Sequence, residues 1–141
     1  MARKLLLATL VVFIVWTVLD FVIHGLLLQS AYEGSMQLWR PMPEMKTGLM
    51  YLVRLVAALV FVTIYVRLIS PKNMKNGLYY GLLFGLGTGI SMGYGTYSVQ
   101  PIPYIMALTW FLGTLVEAIL GGVLTALIVK EGRIDIAEQS K

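Results

Sequence analysis

The sequence contains no cysteine, which removes disulfide frameworks, thiolate metal sites and cysteine nucleophiles from consideration. A single histidine, His24, rules out an internal poly-histidine metal cage. Charge is scarce as well: only 13% of residues are Asp, Glu, Lys or Arg, against 58% hydrophobic. A soluble domain of 141 residues needs more polar surface than that to cover one core. No nucleophile elbow, phosphate loop or metalloprotease motif occurs, and no stretch is long and polar enough to form a separate catalytic domain. The net charge of +4 comes from residues at segment ends, so it reads as a topology signal and gives no nucleic-acid surface.

What the chain does have is apolar length. Four runs stand out, residues 5–28, 47–69, 77–99 and 103–129. Each reaches the roughly 20 residues that cross a hydrocarbon core. Backbone groups in lipid must bond within their own segment, so the runs are expected to be helices. The fold expected is therefore all-α, a polytopic four-helix transmembrane bundle forming one domain over 1–141, with a short tail over 130–141. Ser70-Pro71-Lys72-Asn73 and Gln100-Pro101-Ile102-Pro103 break the pattern, because proline cannot continue a helix. The connection from Gln29 to Lys46, with Trp39, Arg40, Pro41 and Pro43, is expected to lie at the membrane interface. The opening Met1–Lys4 followed by an apolar run imitates a signal peptide, but no Ala-x-Ala site follows, and the run is read as a retained helix.

Arg3, Lys4, Arg67, Lys72, Lys75, Lys130, Arg133 and Lys141 fall on one side of this arrangement; only Arg40, Lys46 and Arg54 fall towards the other. The positive-inside rule then puts both termini and the second connection in the cytoplasm. The lipid bilayer is thus its first expected partner.

The third run carries Gly77, Gly81, Gly85, Gly89 and Gly93, one glycine every four residues. Glycine costs about 1 kcal/mol in a helix relative to alanine, and a line of them lets another backbone approach closely. Such a glycine-zipper face serves packing within the chain, a homo-oligomer, or a subunit of a larger membrane complex. Gly113, Gly121 and Gly122 on the fourth run are candidate partners inside the chain.

Four ionisable side chains fall inside the runs: Asp20, His24, Arg54 and Glu117. Each needs a partner or a water-filled cavity there. With a rise of about 1.5 Å per residue, Asp20 and Arg54 lie at similar depth, about 12 and 10 Å from the loop end, His24 about 6 Å and Glu117 about 20 Å. Asp20 and His24 share a helix face through their i, i+4 spacing. An Asp20–Arg54 ion pair locking the first two helices is the structural reading; a proton or ion pathway is the functional one. Glu117 shares a face with Trp110, Gly113, Thr114 and Gly121, and that face is expected to meet the glycine line, leaving the carboxyl without a counterion. A metal site would draw on Asp20, His24 and Glu117, with Glu33 or Glu44 to complete it. Met36, Met42, Met45 and Met50 suggest copper only weakly, since methionine is common packing material. The sequence names no cofactor.

Asp20, His24-Gly25, Leu27-Leu28, Tyr32, Leu38-Trp39-Arg40-Pro41 and Glu44-Met45 together resemble a pattern in small bacterial four-helix integral membrane proteins of unassigned function. The likeness covers the first third of the chain and implies fold and location alone, an integral protein of a bacterial inner (plasma) membrane. Three functions follow from the residues: proton- or ion-coupled transport of a small solute, a non-catalytic accessory subunit docking through the glycine helix, and a metal- or haem-dependent membrane enzyme. The enzyme has the least behind it, and the absence of an inverted repeat counts against a single-chain transporter.

Overall fold

The computed structural model describes residues 1–130, so the tail expected over 130–141 lies outside the described residues apart from Lys130. The described residues are helical and contain no strand. Helix α1 runs Ala2–Asp20 and continues as a π-helical stretch, Phe21–Leu27. A short helix α2, Gln29–Glu33, and two 3-10 turns, Met36–Leu38 and Met42–Glu44, fold the long connection. Then come α3 (Thr47–Leu68), α4 (Met74–Ile90) with its own π-helical stretch Ser91–Gly95, and α5 (Tyr104–Val129).

Three of these helices are long and apolar enough to cross a membrane: Ala2–Leu27, Thr47–Leu68 and Tyr104–Val129. The glycine-rich helix is not among them, because glycine and tyrosine occupy positions that leucine or valine fill elsewhere. Its start also lies earlier than residue 77. Asn73 accepts a hydrogen bond from the Asn76 backbone N–H at 2.9 Å, a side-chain cap that draws Met74–Asn76 into the first turn.

Helix α5 is the centre of the bundle. It packs along α4 over its whole length and against α1 on another face, while α1 also carries α3. The main core joins Val12 and Trp16 of α1, Phe61, Val62 and Tyr65 of α3, and Ala118 and Ala126 of α5. Few polar bonds cross this core: Tyr80 donates to the Phe61 carbonyl at 2.8 Å, and Tyr65 to the Asn73 carbonyl at 2.9 Å. Lys4 Nζ donates to the Lys130 carbonyl at 3.4 Å, so the start of α1 and the end of α5 meet at one end of the bundle, called here the terminal end. Residues 29–46 lie at the other, the loop end. There, Leu28, Ile102, Met106 and Trp110 form a second core under Tyr32 and Trp39. Large apolar side chains such as Leu6, Leu10, Ile14 and Val18 of α1 and Leu52, Val56 and Leu59 of α3 point outward. In water such faces would drive aggregation; against lipid tails they are in their proper solvent.

The glycine line meets α5. A Cβ on Gly81 would collide with the Ala118 carbonyl, one on Gly93 with the Ala107 carbonyl, and one on Gly77 would come within 2.5 Å of the Gly122 carbonyl. At Gly85 and Gly89 the clearance is 2.9 Å, to Ala118 Cβ and the Phe111 carbonyl. Gly87, on the opposite face, has nothing within 4 Å.

The candidate polar site at the loop half of the bundle

That packing corrects one expectation. The face of α5 against the glycines is made by Ala107, Phe111, Leu115, Ala118 and Gly122. Gly113, Glu117 and Gly121 follow one another at intervals of four on a different face, turned to α1 and α3. A Cβ on Gly113 would come within 2.7 Å of Ile23 Cδ1, and one on Gly121 within 3.1 Å of the Trp16 indole. Glu117 therefore does not face the glycine line. The glycines flanking it let α1 close on α5 and bring the carboxylate among charged groups. Of the proposed α5 partners for α4, only Gly122 serves.

Arg54 stands between two carboxylates. Its Nη2 is paired with Asp20 Oδ2, and its Nη1 donates to Glu117 Oε2 at 3.3 Å. Asp20 is also 3.7 Å from His24 Nε2, one turn nearer the loop. His24 Nδ1 is hydrogen-bonded to the Tyr32 hydroxyl at 2.7 Å. Burial raises the Tyr32 phenol above its ordinary value, so it stays protonated, and the Asp20 carboxylate beside Nε2 favours the imidazole tautomer to which the Tyr32 hydroxyl is the donor. Nδ1 is then the acceptor, and the N–H of a neutral His24 sits on Nε2, facing Asp20. Asp20, His24, Arg54 and Glu117 thus form one continuous cluster, with Tyr32 extending it into the loop.

A cavity of about 70 Å³ lies within this cluster. Asp20, Ile23, His24, Arg54, Met92, Trp110, Gly113, Thr114 and Glu117 line it. Both π-helical stretches contribute: Phe21–Leu27 brings Ile23 and His24, and Ser91–Gly95 brings Met92. Leu28 N–H bonds to the Ile23 carbonyl, five residues back, at 3.0 Å. Such local widening of a helix re-aims side chains, and it recurs at functional sites.

The cavity is closed towards the terminal end. Trp16 Nε1 donates to the Glu117 main-chain carbonyl at 2.6 Å, and the Trp16 ring packs edge-on against Phe61, 5.1 Å between centroids. Both rings press on Gly121. Beyond them the core is Ala8, Val12, Ala58 and Val62, fully buried and apolar. Towards the loop end the wall is aromatic: Trp110 lies 6.2 Å from His24 and 6.0 Å from Trp39, and Trp39 lies 5.2 Å from Tyr32. Trp39 Nε1 donates to Ser35 Oγ at 3.0 Å, and Ser35 in turn donates to the Ala31 carbonyl at 2.7 Å. The long connection is thereby anchored as a cap over the site.

Sequence reasoning passed over Trp16, Met92 and the role of Tyr32. For Trp16 a signal existed, since Trp16, Asp20 and His24 recur every four residues and share one face of α1. For Met92 none existed. Glu33 and Glu44 do not join the cluster, and among the described residues no three His, Asp or Glu side chains gather in a way that holds a metal ion. Met36, Met42 and Met50 are exposed at the loop end.

No protein-family model, no curated protein and no solved structure matches this chain.

Proposed function

We propose that the chain is a four-span protein of a bacterial inner membrane, with α4 as the fourth span beside α5 and both termini cytoplasmic, and that its polar cluster is the ion-binding site of a proton- or ion-coupled transporter of a small solute. The observation that carries the reading is the sharing of one guanidinium by two carboxylates at a partly open cavity. With Asp20 and Glu117 both ionised, the group has one negative charge too many. Unbalanced charge inside a bilayer costs about 2.5–3.5 kcal/mol or more. A proton or cation taken up at the site cancels it, so occupancy and charge balance are coupled. Tyr32, His24 and Asp20 supply a path from the loop side, which the positive-inside asymmetry puts outside the cell.

Release to the cytoplasmic side requires α1 and α5 to part at Trp16. The Trp16 bond to Glu117 and the seating of Trp16 and Phe61 on Gly121 then act as the inner gate. An accessory subunit docking through the glycine helix is favoured less, because α5 already fills that line. A metal- or haem-dependent enzyme is favoured less too, since His24, the chain's one histidine, is engaged by Tyr32.

The test is reconstitution into liposomes carrying an internal pH dye, with an imposed ion gradient. Coupled transport predicts a pH change that Asp20→Asn or Glu117→Gln reduces at least tenfold. Rates equal to those of empty liposomes under every gradient and solute would refute it.

A further inference from the structure

Helices α3 and α4 follow one another in the chain but hardly meet backbone to backbone, since α3 packs chiefly on α1 and α4 on α5. What joins them is a set of rings. Phe61 lies 4.5 Å from Tyr80 and 4.9 Å from Phe84, and Tyr65 lies 5.8 Å from Tyr80. The Tyr80 hydroxyl is fixed on the Phe61 carbonyl at 2.8 Å. Beside these rings a groove of about 610 Å³ remains open, and Leu68, Ser70, Asn76, Tyr79, Leu83 and Phe84 are among its walls.

The wall is graded along the bundle. At the terminal end it is polar: Ser70 is exposed, and the Asn76 amide donates to the Pro71 carbonyl at 2.8 Å. Lys75 Nζ stands 6.0 Å from the centre of the Tyr79 ring, at the same end. Leu83 and Phe84 follow Asn76 by two turns of α4, about 11 Å deeper at a rise of about 1.5 Å per residue. The charge at the mouth has one sign. Arg67 in the last turn of α3 and Lys75 in the first turn of α4 are both exposed, and Lys72 lies in the turn between them. Among the described residues the carboxylates are Asp20, Glu33, Glu44 and Glu117, which belong to the polar site or the loop end, so none lies here.

We propose that this groove binds one anionic phospholipid, with its phosphate at Arg67 and Lys75 and an acyl chain laid along Leu68, Leu83 and Phe84. Charge complementarity selects the occupant, because basic clusters next to a membrane span attract anionic headgroups. The order of the wall matches the order of such a lipid, charged at the surface, polar below it and apolar within. A second copy of the chain fits less well. Copies side by side in one orientation put the same ends at the same depth, so the basic end of one would face the basic end of the other, and like charges oppose contact. A free phosphate ion would leave the apolar wall uncovered. The lipid ties α3, which carries Arg54, to α4 at a place where the two backbones do not meet. The proposal does not depend on the transport reading.

Photolabelling of the full chain in lipid nanodiscs tests this. The probe is phosphatidylglycerol with a diazirine midway along one acyl chain, and the labelled residues are mapped by mass spectrometry. The expected result is labelling concentrated on residues 68–84, competed away by unlabelled phosphatidylglycerol and left in place by phosphatidylcholine with the same chains. The double variant Arg67→Gln with Lys75→Gln, changed only at exposed positions, is expected to lower that labelling about tenfold. Labelling spread evenly over the outward faces, Leu52 and Val56 of α3 included, overturns the proposal, and that measurement needs no variant to fold. Equal competition by phosphatidylcholine, or unchanged labelling in the double variant, overturns it as well, since the charge would then select nothing. Competition by soluble glycerol phosphate would make this an ion site. A groove that stays unlabelled while residues 68–84 crosslink to a second copy would make it a subunit interface. Either result overturns the lipid assignment.

Discussion

The indole N–H of Trp16 reaches the main-chain carbonyl of Glu117 at 2.6 Å, tying α1 to α5 at the depth where the polar site ends and the apolar core begins. A buried hydrogen bond of this kind contributes about 1 kcal/mol. Trp16→Phe keeps most of the ring packing on Phe61 and Gly121 and is expected to lower the unfolding temperature only slightly. Gly121→Leu drives a side chain into both rings and is expected to lower it far more. Thermal unfolding in mild detergent checks the order. Equal effects would mean that α1 and α5 do not close as described.

Arg54 is the single cation between two carboxylates, so its loss is expected to be the worst of the three. Arg54→Gln leaves Asp20 and Glu117 facing each other uncompensated. The double change Arg54→Gln with Glu117→Gln is expected to recover stability, with a coupling of about 1 kcal/mol or more between the two sites. Additive single effects in that cycle would deny the contact.

The glycine line gives a matched pair of outcomes. Gly81→Leu or Gly89→Leu places a side chain in the α5 backbone and is expected to prevent stable folding. Gly87→Leu points into open space on the same helix and is expected to be tolerated, even to gain slightly from helix propensity. Stability measurements on the three proteins decide it. A tolerated Gly81→Leu would detach α4 from α5.

His24 is the one histidine of the chain, so ¹⁵N-histidine labelling yields one imidazole with no assignment problem. Near neutral pH the expected state has an acceptor Nδ1 and a protonated Nε2, because the Asp20 carboxylate lies 3.7 Å from Nε2 and the Tyr32 hydroxyl bonds to Nδ1. Tyr32→Phe is expected to move the Nδ1 resonance and leave Nε2 nearly in place. An Nδ1–H tautomer in the wild-type protein would reverse the assigned polarity of the Tyr32–His24 step.

Much of this architecture is legible in the chain because the bilayer limits the choices. Long apolar runs bounded by Ser70-Pro71 and Pro101–Pro103 read as helices, and three helices are long and apolar enough to cross a membrane. Asp20 and Arg54 meet because they sit at equal depth on consecutive antiparallel helices, a matter of counting residues. The face that Glu117 presents was not legible. Helix α5 carries two lines of small residues, Gly113 and Gly121 on one side, Ala118 and Gly122 on the other, and either suits close approach. What decides between them is that α1 brings the bulky Trp16 and Ile23 against the first line while α4 brings only glycine to the second. The π-helical stretches have no sequence signature here, so the placement of Ile23 and Met92 beside the cavity comes from the backbone alone.

The central claim is that Asp20 and Glu117, sharing Arg54, also share an exchangeable proton, and the carboxyl C=O stretch reads this directly. Titrated by infrared spectroscopy in nanodiscs, the wild-type protein should show a protonated-carboxyl band that appears and disappears with pH and is lost in the Asp20→Asn, Glu117→Gln double variant. Carboxyls that interact strongly titrate together, so a band of this kind would be read as the pair's and not as either residue's alone. A band that survives in the double variant, or none at any pH at which the wild-type protein stays folded, would contradict the account.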